Sequence, residues 1–203
     1  MVSKEKVMKI STLLAASIIA AVVVASPMVS SAQNHGTQVT HFRSTSDWAS
    51  GCIYTDTVIT CFYANAYDDN NGVPQGYVDV YQYDYTTSTY RDIHCFGTAY
   101  ANVVSVNQGN GNSSINATLD PASSDCYPYN VASPLTVNLS GQYNGNYSSH
   151  NNGHGNSTYL GTSYKYNFQS DYFSETFTGT NGFATGTFDG SASTEHRTQL
   201  QKQ

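Results

Sequence analysis

Between Tyr77 and Cys95 the chain reads YVDVYQYDYTTSTYRDIHC, and this pattern restricts its backbone more than any other stretch does. Residues alternate in character through Tyr85, break at Thr86-Thr87-Ser88-Thr89, and alternate again from Tyr90. Successive side chains of a strand point to opposite faces, so two such runs around a short polar loop predict an antiparallel β-hairpin. With those four residues as the loop, Tyr85 opposes Tyr90, Asp84 opposes Arg91, Tyr83 opposes Asp92 and Val80 opposes Cys95. The opposite charges of Asp84 and Arg91 favour this register. One face then carries Val78, Val80, Ile93 and Cys95. The other carries Tyr77, Tyr81, Tyr83, Tyr85 and Tyr90, together with Asp79, Asp92, His94 and Phe96. The aliphatic face has the better claim to the core, which leaves the tyrosine face as a candidate outer surface.

The same signals recur along the chain. Thr37 to Arg43 reads as a first strand, followed by a polar connection from Ser44 to Ser50 that holds Trp48. Cys52 to Tyr67 reads as a hairpin around Asp56-Thr57, with Tyr54 opposite Ile59, Ile53 opposite Thr60 and Cys52 opposite Cys61. The run Asp68-Asp69-Asn70-Asn71-Gly72 reads as a turn; its spacing does not fit the calcium loop, which needs a Glu at its twelfth position. The strand from Tyr90 is expected to run on through Val103. Further strands are centred on Ile115-Ala117-Leu119, on Leu135-Val137-Leu139 as far as Tyr143, on Leu160 to Phe168, and on Phe173-Glu175-Phe177. Asn144 to Ser157 reads as an exposed polar loop. Asn181-Gly182 is a strong hairpin signal before Phe183 to Phe188. No segment shows a helical period. About nine or ten short strands with regular turn signals predict an all-β fold, an antiparallel β-sandwich or, as the alternative, a squat barrel.

Residues 1–32 read as a signal peptide. Lys4, Lys6 and Lys9 precede the apolar stretch from Ile10 to Val24, and Ser30-Ser31-Ala32 offers a small-residue cleavage site. Residues 33–190 are expected to form one all-β domain and 191–203 a flexible C-terminal tail. No second apolar run follows, so no integral membrane segment is expected once the leader is cleaved. All four cysteines lie beyond the leader. An even number in an exported chain implies two disulfides. The facing positions of Cys52 and Cys61 in a non-hydrogen-bonded pair, about 4.5 Å apart, make them the preferred bridge. Cys95–Cys126 follows by elimination, with Cys61–Cys95 as the rival. Secretion or display at the cell surface is the expected location, with the periplasm as a further option.

The full chain has a net charge of −6, and losing three lysines and one glutamate with the leader leaves −8. Such a surface repels phosphate backbones, which disfavours nucleic acid as a partner. No nucleophile elbow, zinc-protease motif, phosphate-cradling loop or haem attachment site occurs, and no cofactor is expected. Glu175 and Glu195 are the only glutamates beyond the leader, and most aspartates flank turns. Two carboxylates brought together by folding would still make a glycosidase, so a small secreted hydrolase stays open as an alternative. His150 and His154 have the spacing of a weak metal pair, but they read as part of a solvated loop, and no metal site is assigned. Five sequons, at Asn112, Asn116, Asn138, Asn146 and Asn156, lie in a chain rich enough in Asn, Ser and Thr to produce several by chance.

The aromatic residues carry the functional reading. Sugars bind by stacking on Tyr or Trp while Asn, Asp and Gln fix their hydroxyls, and protein interfaces also favour Tyr. Tyr77, Tyr81, Tyr83, Tyr85, Tyr90 and His94 are the candidate ligand-binding residues. Against this stands a count: nineteen Val, Ile and Leu residues beyond the leader face twenty-six aromatics, so part of the aromatic set belongs in the core. The expected function is a non-enzymatic recognition or adhesion module for glycan or a protein surface. The alternative is a surface-layer or fibre subunit that self-associates. Asn112 to Ala192 resembles a group of uncharacterised secreted β-proteins in the strand end NATLD, the cysteine-bearing loop, VNLSGQYNG and the close TGTFDGSAS. That resemblance implies the fold class and no activity.

Overall fold

Alternation does dominate the backbone. The computed structural model describes residues 39–69, 72–159 and 162–202. They form ten strands and one short 3₁₀ turn at Thr98–Tyr100. The strands are β1 (Val39–Tyr54), β2 (Val58–Asp69), β3 (Gln75–Asp84), β4 (Thr89–Gly97), β5 (Val104–Asn107), β6 (Asn112–Leu119), β7 (Cys126–Tyr129), β8 (Leu135–Tyr159), β9 (Thr162–Thr180) and β10 (Thr185–Lys202). The fold is all-β, as expected. All ten strands belong to one open sheet, in the order β5-β6-β8-β9-β10-β1-β2-β3-β4-β7, and every pairing is antiparallel. No helix among the described residues is long and apolar enough to cross a membrane. The expected signal peptide, 1–32, lies outside the described residues.

The sheet curls so that β5 comes against β1, β2 and β10. Its inner face holds the core: Val78, Val80, Ile93, Ile115, Leu119, Val137 and Leu139 are all buried. Phe62 meets Phe177 and Phe188 edge-on, with ring centres 5.0 and 5.7 Å apart. Among the described residues the buried aromatics are Phe62, Phe173, Phe177, Phe188 and Tyr100. A phenyl ring has no polar atom to satisfy, whereas buried phenols need partners; Tyr100 has one in the Thr118 carbonyl, to which its hydroxyl donates at 3.2 Å. The 3₁₀ turn crosses β3 at Gly76, where a Cβ would stand 1.6 Å from the Tyr100 backbone carbonyl oxygen, so no larger residue fits there.

Both disulfides fall where they were expected, Cys52–Cys61 and Cys95–Cys126, each with Cα atoms 4.1 Å apart. The Cys52–Cys61 register also matches, with Ile53 opposite Thr60 and Tyr54 opposite Ile59. The β9–β10 hairpin forms at Asn181-Gly182, but its loop spans four residues, Asn181 to Ala184. Buried Asn181 organises it. Its Oδ1 accepts from the Phe183 and Ala184 amides at 3.1 and 3.0 Å, and its Nδ2 donates to the Cys61 carbonyl at 3.0 Å.

Several expectations need correction. In the central hairpin Tyr83 opposes Tyr90, Gln82 opposes Arg91 and Tyr81 opposes Asp92, a shift of two residues from the charge-matched register. The turn claims Asp84: its Oδ1 accepts from the Thr86 amide (2.8 Å), the Thr86 hydroxyl (2.6 Å) and the Thr87 amide (3.2 Å). An exposed ion pair is worth about 0–1 kcal/mol, less than three such bonds and the turn they fix. Arg91 instead donates to Gln82 Oε1 and lies 4.5 Å above the Phe183 ring. A shift of two preserves parity, so every residue keeps its expected face. The strand from Tyr90 stops at Gly97, where φ is +119°, and does not reach Val103. Ser44–Ser50 is not a connection but the middle of β1. Asn144–Ser157 is not a loop but part of β8, bulged between Tyr143 and Ser148. Ser191 onward, read as a tail, continues β10 to Lys202 between β9 and β1.

Candidate functional site

Outer positions of a strand are two residues apart, and every strand from β1 to β4, with β7, places at least two aromatic side chains there. They form a row across the sheet. Tyr147 of β8 meets Tyr172 of β9 (5.7 Å), which meets Trp48 of β1 (6.0 Å). The row continues through Tyr63 (6.5 Å), Tyr77 (5.6 Å) and His94 (6.0 Å) to Tyr127 (5.0 Å) and Phe96 (5.6 Å). Ser193 of β10 stands opposite both Trp48 and Tyr172, and a side chain this small lets those two rings close over it. Here the rings pack on one another.

Beside the row lies a more open patch. Tyr81, Tyr90 and Tyr129 are tilted against each other at 6.2 and 5.9 Å, and Tyr83 meets Tyr85 edge-on at 5.0 Å. Tyr90 is 39% exposed, Tyr85 51%, and Tyr54 and Tyr129 57%. Contiguous exposed aromatic surface of this kind marks a contact site more often than a bare surface. All six candidate residues are therefore on or beside one outer surface. Tyr77, Tyr81, Tyr83, Tyr90 and His94 share the sheet face, and Tyr85 sits in the adjoining turn.

Two carboxylates sit among these rings. Asp79 stands opposite His94, and Asp92 opposite Tyr81, so they are diagonal neighbours on one face. A local rule holds each in place: a tyrosine two residues before an aspartate on the same strand donates its hydroxyl to it. Tyr77 reaches Asp79 at 3.4 Å, Tyr90 reaches Asp92 at 2.9 Å, and Tyr67 reaches Asp69 at 3.0 Å. Burial and then the paired aspartate hold the Tyr77 and Tyr90 hydroxyls above the usual phenol range, and Tyr67 is pushed up to about 12. These phenols stay neutral donors. Burial, with the charge of Asp92 behind it, pushes the Asp79 carboxyl up to about 6, against the opposing pull of His94 and the Tyr77 hydroxyl. The second oxygen of Asp79, Oδ1, is buried and has no partner among the described residues.

Sequence reasoning missed Trp48, Tyr63, Tyr127, Tyr129 and Tyr172. Only long-range register brings them beside the hairpin. The Tyr-x-Asp spacing at 67–69, 77–79 and 90–92 was a readable signal that alternation alone does not single out.

A second polar cluster lies on the inner side beyond the β8 bulge. Asp171, only 5% exposed, pairs through Oδ1 with Nδ1 of His150, and Asn152 Nδ2 lies 2.8 Å from His150 Nε2. Partners on both ring nitrogens fix the orientation of the imidazole. Ser148, Gln169, Phe173 and Gln108 line the shallow cleft around it. The Nε2 partner is an amide and not a hydroxyl nucleophile, and no group of three metal-ligating side chains occurs among the described residues. His154 shares a strand face with His150 but joins no such cluster.

Compared with known proteins, the chain matches no family model, no curated protein and no solved structure. The functional reading rests on the surface itself.

Proposed function

We propose that this protein is a secreted or cell-surface recognition module that binds glycan through the tyrosine-rich outer face of β1 to β4 and β7. Two disulfides fit an extracellular or periplasmic setting, where thiols are oxidised. The observation that carries the reading is the open patch of Tyr81, Tyr90 and Tyr129 beside the carboxylates of Asp79 and Asp92. Tilted, partly exposed rings offer apolar faces to the C–H surface of a sugar. Carboxylates that only accept hydrogen bonds suit its hydroxyls, and the neutral phenols add donors.

A glycan array tests this. Wild-type protein should bind a restricted set of glycans. The variant carrying Tyr90→Ala and Tyr129→Ala should bind them about tenfold more weakly, with its far-ultraviolet spectrum unchanged. Absence of binding by wild type across a broad array would remove the glycan reading.

A further inference from the structure

An open sheet has edges, and this one treats its edges unequally. The two ends of the strand order, β5 and β7, are four residues long, and β7 carries Pro128. Shortness and proline are the usual ways to keep an edge from pairing with another chain. A third edge lacks both. β6 pairs with β8 only as far as Gln142, so beyond the bulge β8 is paired, among the described residues, on one side alone, to β9. From Ser148 to Thr158 its other side presents a row of backbone donors and acceptors with no partner among the described residues.

This stretch is built as a strand and held as one. Gly153 and Gly155 would ordinarily weaken it, but the rings of Phe168 and Tyr166, directly opposite on β9, cover them closely: a Cβ on either glycine would lie 2.2 or 2.5 Å from a ring carbon. Aromatic cover of an edge glycine restores packing that glycine lacks. Asn144 to Tyr159 also contains no Lys, Arg, Asp, Glu or Pro, in a chain of net charge −6. A face that carries several carboxylates would bring like charges together when two copies meet. This edge would not.

We infer that the β8 edge from Ser148 to Thr158 pairs antiparallel with the same edge of a second copy, making a two-fold dimer with a continuous sheet across it. A self-complementary patch closes at two subunits, because each copy uses up its own edge. Main-chain hydrogen bonds supply the contact, and the uncharged side chains let the strands approach.

Sedimentation velocity over a concentration series tests the inference, together with amide hydrogen exchange. Wild-type protein should pass from monomer to dimer and stop there. Outward amides between Ser148 and Thr158 should become slow only at high concentration. The variant carrying Ser149→Lys and Asn151→Lys, which places four lysines at the dimer interface, should dimerise at least about tenfold more weakly with an unchanged spectrum. The Tyr90→Ala, Tyr129→Ala variant should dimerise like wild type, which separates this inference from the glycan reading. A wild type that stays monomeric, edge amides that exchange equally fast at every concentration, or a lysine variant that dimerises normally would each overturn it. So would a dimer lost only in the tyrosine variant.

Discussion

β9 belongs to two different regions, and comparing its halves shows how this chain works. From Asp171 to Thr180 it crosses the body of the sheet, where Phe173, Glu175 and Phe177 point into the core. From Thr162 to Ser170 it runs in an extension made with the far parts of β8, β10 and β1, where Lys165 and Asn167 are exposed and Tyr164, Tyr166 and Phe168 are half-buried. The body is held by apolar burial and two disulfides. The extension is held by backbone pairing, cross-strand aromatic cover and, where it joins the body, the Asp171–His150 pair. A strand can therefore persist without a core if it is paired along its length, but such a strand has less to resist local opening.

The largest effect should come from the body. Replacing Cys95 and Cys126 by Ala opens a loop with a sequence separation of 31 and should cost about 3–4 kcal/mol in a denaturant melt, lowering the whole cooperative transition. A loss confined to β7 would mean that the body does not unfold as a unit.

Glu175 gives the next effect. It is fully buried at the end of the body, its Oε1 accepts from the Ser113 hydroxyl at 2.8 Å, and its Oε2 has no partner among the described residues. Burial pushes its carboxyl up to about 7, and the Ser113 bond only partly offsets this. The folded state thus holds a proton that the unfolded state releases at lower pH. The contribution is fully present below about 4.5 and is lost as pH rises through about 7. Glu175→Gln should be near neutral at pH 4 and stabilising by about 2 kcal/mol at pH 8, allowing for some screening. Thermal melts at the two pH values would show it, and a difference of the opposite sign would contradict the burial argument.

The smallest effect belongs to the extension. Asp171→Asn should change global stability by less than about 1 kcal/mol while speeding amide exchange from Ser148 to Thr158. A loss of several kcal/mol would dissolve the distinction between the two regions.

The same division explains what was legible in the sequence. In the body, apolar residues alternate with polar or aromatic ones, so the strand faces, both disulfides and the Cys52–Cys61 register were readable. Three polar stretches were misread: Ser44–Ser50, Asn144–Ser157 and Ser191 onward. All three contribute to the sheet in and beside the extension, where alternation in hydropathy is weak because the inward positions are small or polar, such as Ala49, Ala192 and Thr194. Their strand character lies in backbone hydrogen bonds to segments far away in sequence. The tyrosine face was assigned correctly even though the hairpin register was off by two residues, since such a shift leaves the faces unchanged. The partition of aromatics was not readable from a count. Phe62, Phe173, Phe177 and Phe188 supply the core, whereas the outer-face tyrosines keep polar hydroxyls out of it, three of them donating to aspartates.

The central claim is that the body's outer face, and not the cleft beside His150, receives the ligand. The most direct test follows tyrosine ring resonances by NMR while a glycan selected from the array is titrated in. The account predicts shifts at Tyr81, Tyr90 and Tyr129 and none at Tyr164 or Tyr166. Perturbations confined to His150, Phe173 and their neighbours, with the outer tyrosines unmoved, would contradict it.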